Sequence, residues 1–170
     1  MSVRTFEEMI IALRMQAFEP LRKLNFQYRG PTHLSIGQEA TSVGGCAAIR
    51  FDDYITSTHR GHADGIAKGY VAIRDRSEDE LRAWIGTKEA QSLGGQALRD
   101  AAKLDHIYRT AAELFGKADG YCRGRGGGMH IADFTSGHLG ANAIVGGSVP
   151  IATGAGYSER YLKNGKVVLC

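Results

Sequence analysis

The stretch SVPIATGAGYSERYLKNGKVVLC, residues 148–170, decides the fold class. Ser148-Val149-Pro150 is typical of a helix start, because proline fits the first helical turn, and Asn164-Gly165 is typical of a helix end. The apolar, β-prone run 166–170 follows directly. A helix that leads into such a strand is half of a β–α–β unit. The pattern predicts an α/β fold with a parallel sheet flanked by helices, truncated after a strand expected to be central.

The segment before this helix, GRGGGMHIADFTSGHLGANAIVGG at residues 124–147, holds eight of the chain's 23 glycines. Glycine lacks a Cβ, so its backbone N–H and C=O groups can approach a ligand closely. A flexible linker would be rich in glycine and serine throughout, whereas this segment also carries His130, Asp133, His138 and Asn142. We interpret it as a binding surface made largely of backbone.

Size and composition restrict the class of protein. The 170 residues suffice for one domain with a core. A net charge of only +3, with both signs mixed along the chain, disfavours nucleic-acid binding through a broad basic face. Three distant cysteines without a CxxC pair disfavour a zinc site and a disulfide framework. No apolar run is long enough for a membrane helix, so we expect a cytoplasmic protein with reduced thiols.

Helical patterns fill much of the remaining chain. Thr5 to Glu8 match a capping box with Thr5 as the N-cap, and apolar spacing extends this helix to Leu24, with a bend at Pro20. Residues 37–50 predict a second helix. Residues 76–115 predict further helices that begin at a good N-cap, Ser77. The last of these has a possible apolar stripe at Leu98, Ala102, Leu104, Ile107, Ala111 and Leu114.

Two polar clusters carry candidate chemistry. HLSIGQEA, residues 33–40, places polar side chains in the first turn of a helix, and THRGH, residues 58–62, follows a β-prone run. Arg60 can bind a phosphate group through two parallel hydrogen bonds. His59 and His62 are metal ligands by type, but we disfavour a metal site at these two residues. Solvated loop residues and helix-terminus chemistry remain alternative interpretations.

The run RGRGGG, residues 123–128, resembles an RGG tract, which would indicate RNA contact through Arg123 and Arg125. The tract occurs once and continues into MHIAD, so we disfavour nucleic acid as a partner. It lacks the GK[ST] that completes a phosphate-binding P-loop.

Four blocks occur in one order along the chain: HLSIGQEA, DDYITSTHRGH, ELFGKADGYCRGRGGGMHIAD and GANAIVGGSVPIATGAG. Together they resemble the α subunit of the thiamine-diphosphate-dependent first component of 2-oxo acid dehydrogenase complexes, of the acetoin or pyruvate dehydrogenase type. The acetoin pattern, with THRGHGH, GGSMHIAD and GANGIVGG, is the nearer one, because pyruvate dehydrogenases usually have tyrosine in place of His59. The resemblance covers about residues 10–73 and 110–170. It implies that residues 1–170 are the N-terminal portion of one thiamine-diphosphate-binding domain.

The resemblance implies a set of cofactor-binding residues. It places the HR pair at the cofactor diphosphate, and it places the backbone of the IVG segment at the aminopyrimidine, with a branched side chain that holds the cofactor bent. The implied residues are His59, Arg60, Ala143, Ile144, Val145 and Gly146. No catalytic residue and no metal ligand is implied in this chain, because the glutamate that activates the cofactor comes from the β subunit in this family.

An oxidoreductase subunit follows from the same resemblance. The family cleaves a 2-oxo acid or acetoin and passes the acyl group to a lipoyl-bearing acyltransferase component. The implied partner is a β subunit, in an α₂β₂ heterotetramer or an α–β fusion, without nucleic acid or membrane.

The chain departs from the family pattern in three ways. The GDG…N motif for Mg²⁺ and diphosphate would start after Cys170, so Mg²⁺ would be held by residues beyond this chain, and the chain alone is expected to be inactive. Residues 74–109 form a helical insertion that the usual α subunits lack. Ala143 and Gly128 replace a common glycine and serine. A truncated subunit, a split subunit, or an inactive remnant or interaction module that keeps the fold remain open as alternatives.

Overall fold

The computed structural model describes residues 2–14, 23, 31 and 33–170. Within these residues, helices surround three short strands. In chain order the elements are α1 (Val3–Arg14), α2 (Glu39–Ala47), β1 (Tyr54–Ser57), α3 (Gly61–Asp75), α4 (Glu78–Ile85), a 3₁₀ turn (Glu89–Ser92), α5 (Gly95–Leu114), β2 (His138–Ala141), α6 (Ser148–Leu162) and β3 (Val168–Leu169). No helix of the described chain is long and apolar enough to cross a membrane.

The strands form one parallel sheet in the order β2-β1-β3. Ile55 of β1 pairs with His138 on one side and with Leu169 on the other. The predicted α/β fold with a parallel sheet flanked by helices is therefore confirmed. The sequence predicts that the chain ends after a central strand. In the described sheet β1 is central, and β3 lies at an edge.

Local signals for the starts of α4 and α6 are confirmed, and others differ in detail: α6 is predicted to end at Asn164-Gly165, but it ends at Leu162 and its left-handed C-cap is Lys163. Ser77 forms a full capping box with Glu80 at the start of α4, and α6 begins at the predicted Ser148. At α1, however, the cap is Ser2 and not Thr5. The Ser2 hydroxyl accepts the N–H of Thr5 at 3.0 Å, and the helix begins at Val3, three residues before Phe6, the predicted first helical residue. The predicted bend at Pro20 lies outside the described residues.

Helix α5 joins two parts of the hydrophobic core. Its Ile107 and Leu114 pack with Phe6 and Ile66 from α1 and α3. Its other end packs against the end of α3 and against α4, through Ile73, Leu81, Ile85, Leu98 and Ala102. Leu104 of the predicted apolar stripe is 68% exposed, because it follows Ala102 by only two residues and so turns away from the buried face. That residues 74–109 are an insertion stays a prediction.

The buried carboxylate of Glu113, near the end of α5, holds the following loop. Its Oε2 accepts the backbone N–H groups of Cys122 and Gly124 at 2.8 and 2.9 Å, and its Oε1 accepts those of Gly126 and Gly127 at 2.7 and 3.0 Å. The side chain is fully buried. One charged group therefore satisfies four backbone donors in a loop that has no regular secondary structure.

We expect Glu113→Gln to lower the free energy of unfolding by about 2–4 kcal/mol, because each hydrogen bond to a charged group contributes roughly 1.5–3 kcal/mol and the amide NH₂ cannot accept. Urea denaturation measures the loss, and hydrogen exchange at the Gly124 amide measures the loosening of the loop. Glu89 is exposed and has no side-chain partner among the described residues, so Glu89→Gln should stay within about 0.5 kcal/mol. Equal stability of the two variants would contradict the role given to Glu113.

Candidate functional site

The carboxyl ends of β1 and β2 lie side by side and bring two predicted segments together. Residues 58–60 follow β1, and residues 142–147 follow β2. The N–H of Asn142 donates to the carbonyl of Ser57 at 3.0 Å, which ties the second segment to the end of β1. Ligands in open α/β sheets bind at this edge, beyond the carboxyl ends of the strands.

Arg60 stands at the start of α3, in the N-cap position. Its guanidinium donates to the carbonyl of Leu34, and its own carbonyl accepts the Ser35 hydroxyl at 3.4 Å. The clusters 33–40 and 58–62 of the sequence are therefore in contact. A polar cavity of about 220 Å³ opens beside this contact, and its lining consists of Ser35, Gln38, Thr41, Ser42, Thr58, Arg60 and Asp64.

His59 lies against His33, with the two ring centroids 4.9 Å apart and the rings edge to face. Partial burial lowers the pKa of His59, and the charges of Arg60 and His33 lower it further. The neutral ring of His59 is therefore favoured near pH 7, and a neutral imidazole offers one donor and one acceptor.

The segment after β2 is an exposed turn. The Asn142 side chain accepts the N–H of Ile144 at 2.9 Å, and Gly147 N–H donates to the Ile144 carbonyl at 2.9 Å. Gly146 adopts φ +79°, a conformation that glycine reaches without strain. Ile144 and Val145 are 73% and 94% exposed. The turn thus presents two branched apolar side chains outward. These residues do not line the cavity beside Arg60.

Two helices begin at this edge of the sheet. Helix α3 starts at Gly61, directly after Arg60, and α6 starts at Ser148, directly after the turn. Cys170, after β3, approaches the Ser148 hydroxyl at 3.5 Å. Helix N-termini carry partial positive charge and free N–H groups, so together with Arg60 they favour an anionic ligand.

Other polar residues singled out in the sequence have structural positions. Glu39 accepts the Gly37 N–H and pairs with Arg4 at 3.2 Å. Hydrogen bonds from its own backbone, from Arg4 and from Gly37 lower the pKa of Glu39, and partial burial opposes them. Asp133 and His138 are buried at the amino end of β2, away from the candidate edge, and His130 is exposed.

Sequence reasoning missed two partnerships behind the THRGH segment. His62 is buried, and its Nε2 lies 2.6 Å from the Glu7 carboxylate of α1. The Ser57 hydroxyl donates to the Asp64 carboxylate. Helical periodicity places Glu7 and Asp64 on their helices, but it carries no signal for a polar partner outside the same helix.

The fold and this edge define an α/β protein with a candidate anion site beyond parallel strands. Over its whole length the chain is 36% identical to the α subunit of an acetoin:2,6-dichlorophenolindophenol oxidoreductase of Bacillus subtilis and spans 38% of its length. It is 32% identical over 138 residues to the subunit of that name from Cupriavidus necator, covering 81% of this chain and 31% of that one.

A plant relative extends the comparison. The α-3 subunit of the chloroplastic pyruvate dehydrogenase E1 component of Arabidopsis thaliana is 31% identical over 160 residues, 92% of this chain and 28% of that one. No family model matches the chain. The chain is a homologue of acetoin and pyruvate dehydrogenase E1 α subunits and corresponds to part of their length, which confirms the resemblance drawn from the four motifs.

Close contact at Gly61 yields a test of how the two segments meet. A Cβ on Gly61 would lie 2.4 Å from the Cβ of Ala141, so Gly61→Ala should lower the free energy of unfolding by about 1–3 kcal/mol through overpacking. Gly154 in α6 has open space around it, and Gly154→Ala should raise stability by about 0.5–1 kcal/mol. Thermal denaturation of both variants measures these two changes in stability. A gain for both would show that the contact between α3 and β2 is loose.

Burial of His138 makes stability depend on pH. Burial lowers its pKa to about 4, with nearby His106 adding to the effect and Asp64 and Asp133 opposing it. The unfolded imidazole binds a proton below about pH 6.5, so between these values the unfolded state binds more protons and stability falls as the pH falls. This group alone should lower the free energy of unfolding by about 2 kcal/mol between pH 7 and pH 5. Urea denaturation of His138→Met at both pH values should show a dependence smaller by that amount, and an unchanged dependence would contradict the assignment.

Proposed function

We propose that the chain forms part of the α subunit of a thiamine-diphosphate-dependent dehydrogenase that acts on a 2-oxo acid or on acetoin. The observation that carries the proposal is that the segment with Arg60 and the turn 142–147 follow adjacent parallel strands, and that the Asn142 N–H bonds to Ser57 at the end of β1. Homology to acetoin and pyruvate dehydrogenase α subunits supports it. The chain spans less than two fifths of the length of those relatives.

Arg60 and His59 bind the diphosphate in this proposal. The guanidinium supplies charge and directional donors, the α3 N-terminus supplies free backbone N–H groups, and the neutral imidazole of His59 supplies one further hydrogen bond. Because the Arg60 guanidinium also holds the carbonyl of Leu34, its position is set before any ligand arrives. A preset position lowers the entropy cost of binding.

The turn Ala143–Gly146 faces the heterocyclic end of the cofactor. Val145 and Ile144 are exposed to an extent that is unusual for branched apolar residues, and a bound aromatic ring would cover them. Gly146 allows the backbone to turn at this point. Mg²⁺ would be held by residues that are not part of this chain. The donors at this edge fit a thiamine diphosphate that lies between residues 58–60 and the turn 142–147.

Thiamine diphosphate supplies the carbon nucleophile for cleavage next to a keto group. This chain would bind and orient the cofactor, and no catalytic residue is assigned to it. The partners in this proposal are a β subunit, in a heterotetramer, and a lipoyl-bearing acyltransferase component that receives the acyl group. We place the assembly in the cytoplasm. Assays of the assembly with acetoin, pyruvate and branched-chain 2-oxo acids would identify the substrate.

Removal of the Arg60 guanidinium tests the proposal. In the assembled enzyme that contains this chain, Arg60→Ala should weaken thiamine diphosphate binding at least tenfold, about 1.4 kcal/mol, and Arg60→Lys should recover part of the loss because it keeps the charge. Isothermal titration calorimetry measures both affinities.

Arg74 provides the matched control. It lies near the other end of α3, is exposed, and pairs only with Asp75 among the described residues. Arg74→Ala should therefore leave cofactor affinity unchanged. Unchanged affinity in a folded Arg60→Ala enzyme, as judged by circular dichroism, would overturn the assignment of Arg60.

A further inference from the structure

A second, larger cavity lies away from the candidate cofactor edge. It has a volume of about 670 Å³, within the range of small-molecule sites. It shares no lining residue with the cavity beside Arg60, and it reaches Thr135, in the turn before the amino end of β2.

Two parts of the chain form the walls of this cavity. Helices α4 and α5 contribute one wall, through Trp84, Asp105, Tyr108 and Arg109, and the loop from residue 118 to Arg123 contributes the other. The Tyr108 hydroxyl donates to the Asp119 carboxylate at 2.8 Å and links the two walls. Residues 74–109, predicted to be an insertion, therefore supply most of one wall.

The charges on the lining are unequally satisfied. Arg109 pairs with Asp105 at 2.8 Å, and Asp119 accepts the Tyr108 hydroxyl. The Arg123 side chain is exposed and has no hydrogen bond or ion pair among the described residues. The neutral Tyr108 hydroxyl leaves the charge of Asp119 in place, so Arg123 is the cation of the lining that has no ion pair among the described residues. Its guanidinium can bind carboxylate and phosphate groups through paired hydrogen bonds.

The backbone of Arg123 is held in a costly conformation. Its φ is +56°, in the left-handed region that residues other than glycine seldom adopt. The Glu113 carboxylate fixes the N–H groups on either side of it, those of Cys122 and Gly124. Strained residues that the surrounding structure holds in place are concentrated at ligand sites. The buried anchor thus keeps Arg123 at the cavity wall.

Aromatic rings form the rest of the recognition surface. Trp84 and Tyr121 are half-buried and Tyr108 is 55% exposed, and all three line the cavity. The Arg76 guanidinium lies over the Trp84 ring, 5.0 Å from its centroid, and restrains it. Flat aromatic walls favour a flat, unsaturated ligand, because aromatic groups stack or meet edge to face.

We propose that this cavity binds a small aromatic anion, with its ring against Trp84 and Tyr108 and its carboxylate or phosphate on Arg123. In this arrangement residues 74–109 build a ligand site beside the glycine-rich segment that leads to the cofactor edge. The site is independent of the proposed dehydrogenase function, since none of its residues lies at that edge.

Trp84 is the only tryptophan of the sequence, so its fluorescence reports on the cavity. Phenyl phosphate, added to the purified protein, should change that fluorescence in a saturable way. Phenol has the ring but no anionic group, and inorganic phosphate has the anion but no ring, so each should bind at least fivefold more weakly. Benzoate in a parallel titration shows whether a carboxylate serves as well as a phosphate, and saturable binding of either aromatic anion supports the site.

Two exposed arginines of the same loop provide the matched pair of variants. Arg123→Gln should weaken phenyl phosphate binding at least fivefold, whereas Arg125→Gln should not change it, because Arg125 does not line the cavity. Tyr108→Leu, which keeps an apolar side chain but removes the ring, should weaken it as well. The absence of saturable binding, or equal losses for Arg123→Gln and Arg125→Gln, would overturn the proposal.

Discussion

The buried carboxylate of Glu113 is the interaction on which the second half of the structure depends. Burial of a charge is costly unless hydrogen bonds compensate it, and here four backbone N–H groups do so. Residues 122–128 of the loop carry no large apolar side chain, so hydrogen bonds to this carboxylate hold that part of the loop in place of apolar packing. Gly120 and Gly124 pack so closely against α5 and residues 116–117 that a Cβ at either position would clash with backbone. The path of the chain from α5 towards β2 is thus set by one side chain and two glycines.

Local signals allowed much of the fold to be predicted. Ser77 and Pro150 mark the starts of α4 and α6 in the sequence, because a cap or a first-turn proline acts on backbone groups within a few residues of itself. The strand after α6 was predicted from apolar, β-branched composition. The neighbours of Arg60 and the family resemblance predict it as a site residue, and in the structure its segment follows β1, where Ser57 accepts the N–H of Asn142. Its role in binding a cofactor stays a prediction.

What could not be predicted are contacts between residues far apart in sequence. Glutamate in a helix is usually exposed to solvent, and only the fold brings the N–H groups of the loop to Glu113. Glu7 and His62 likewise meet across two helices. The order β2-β1-β3 depends on packing of whole helices, which no local pattern encodes. Leu104 belongs to the possible apolar stripe in the sequence but is exposed, because its angle on the helix turns it away from the buried face.

The central position of β1 also constrains how the chain can fold. Both partners of β1 come much later in the sequence, since Ile55 pairs with residues 138 and 169. Closing such long loops delays the native contacts and slows folding. During synthesis on the ribosome, both edges of β1 stay unpaired until β2 and then β3 have been made. Exposed strand edges in nascent chains invite aggregation, so production of this protein should respond strongly to chaperone supply and to the rate of translation.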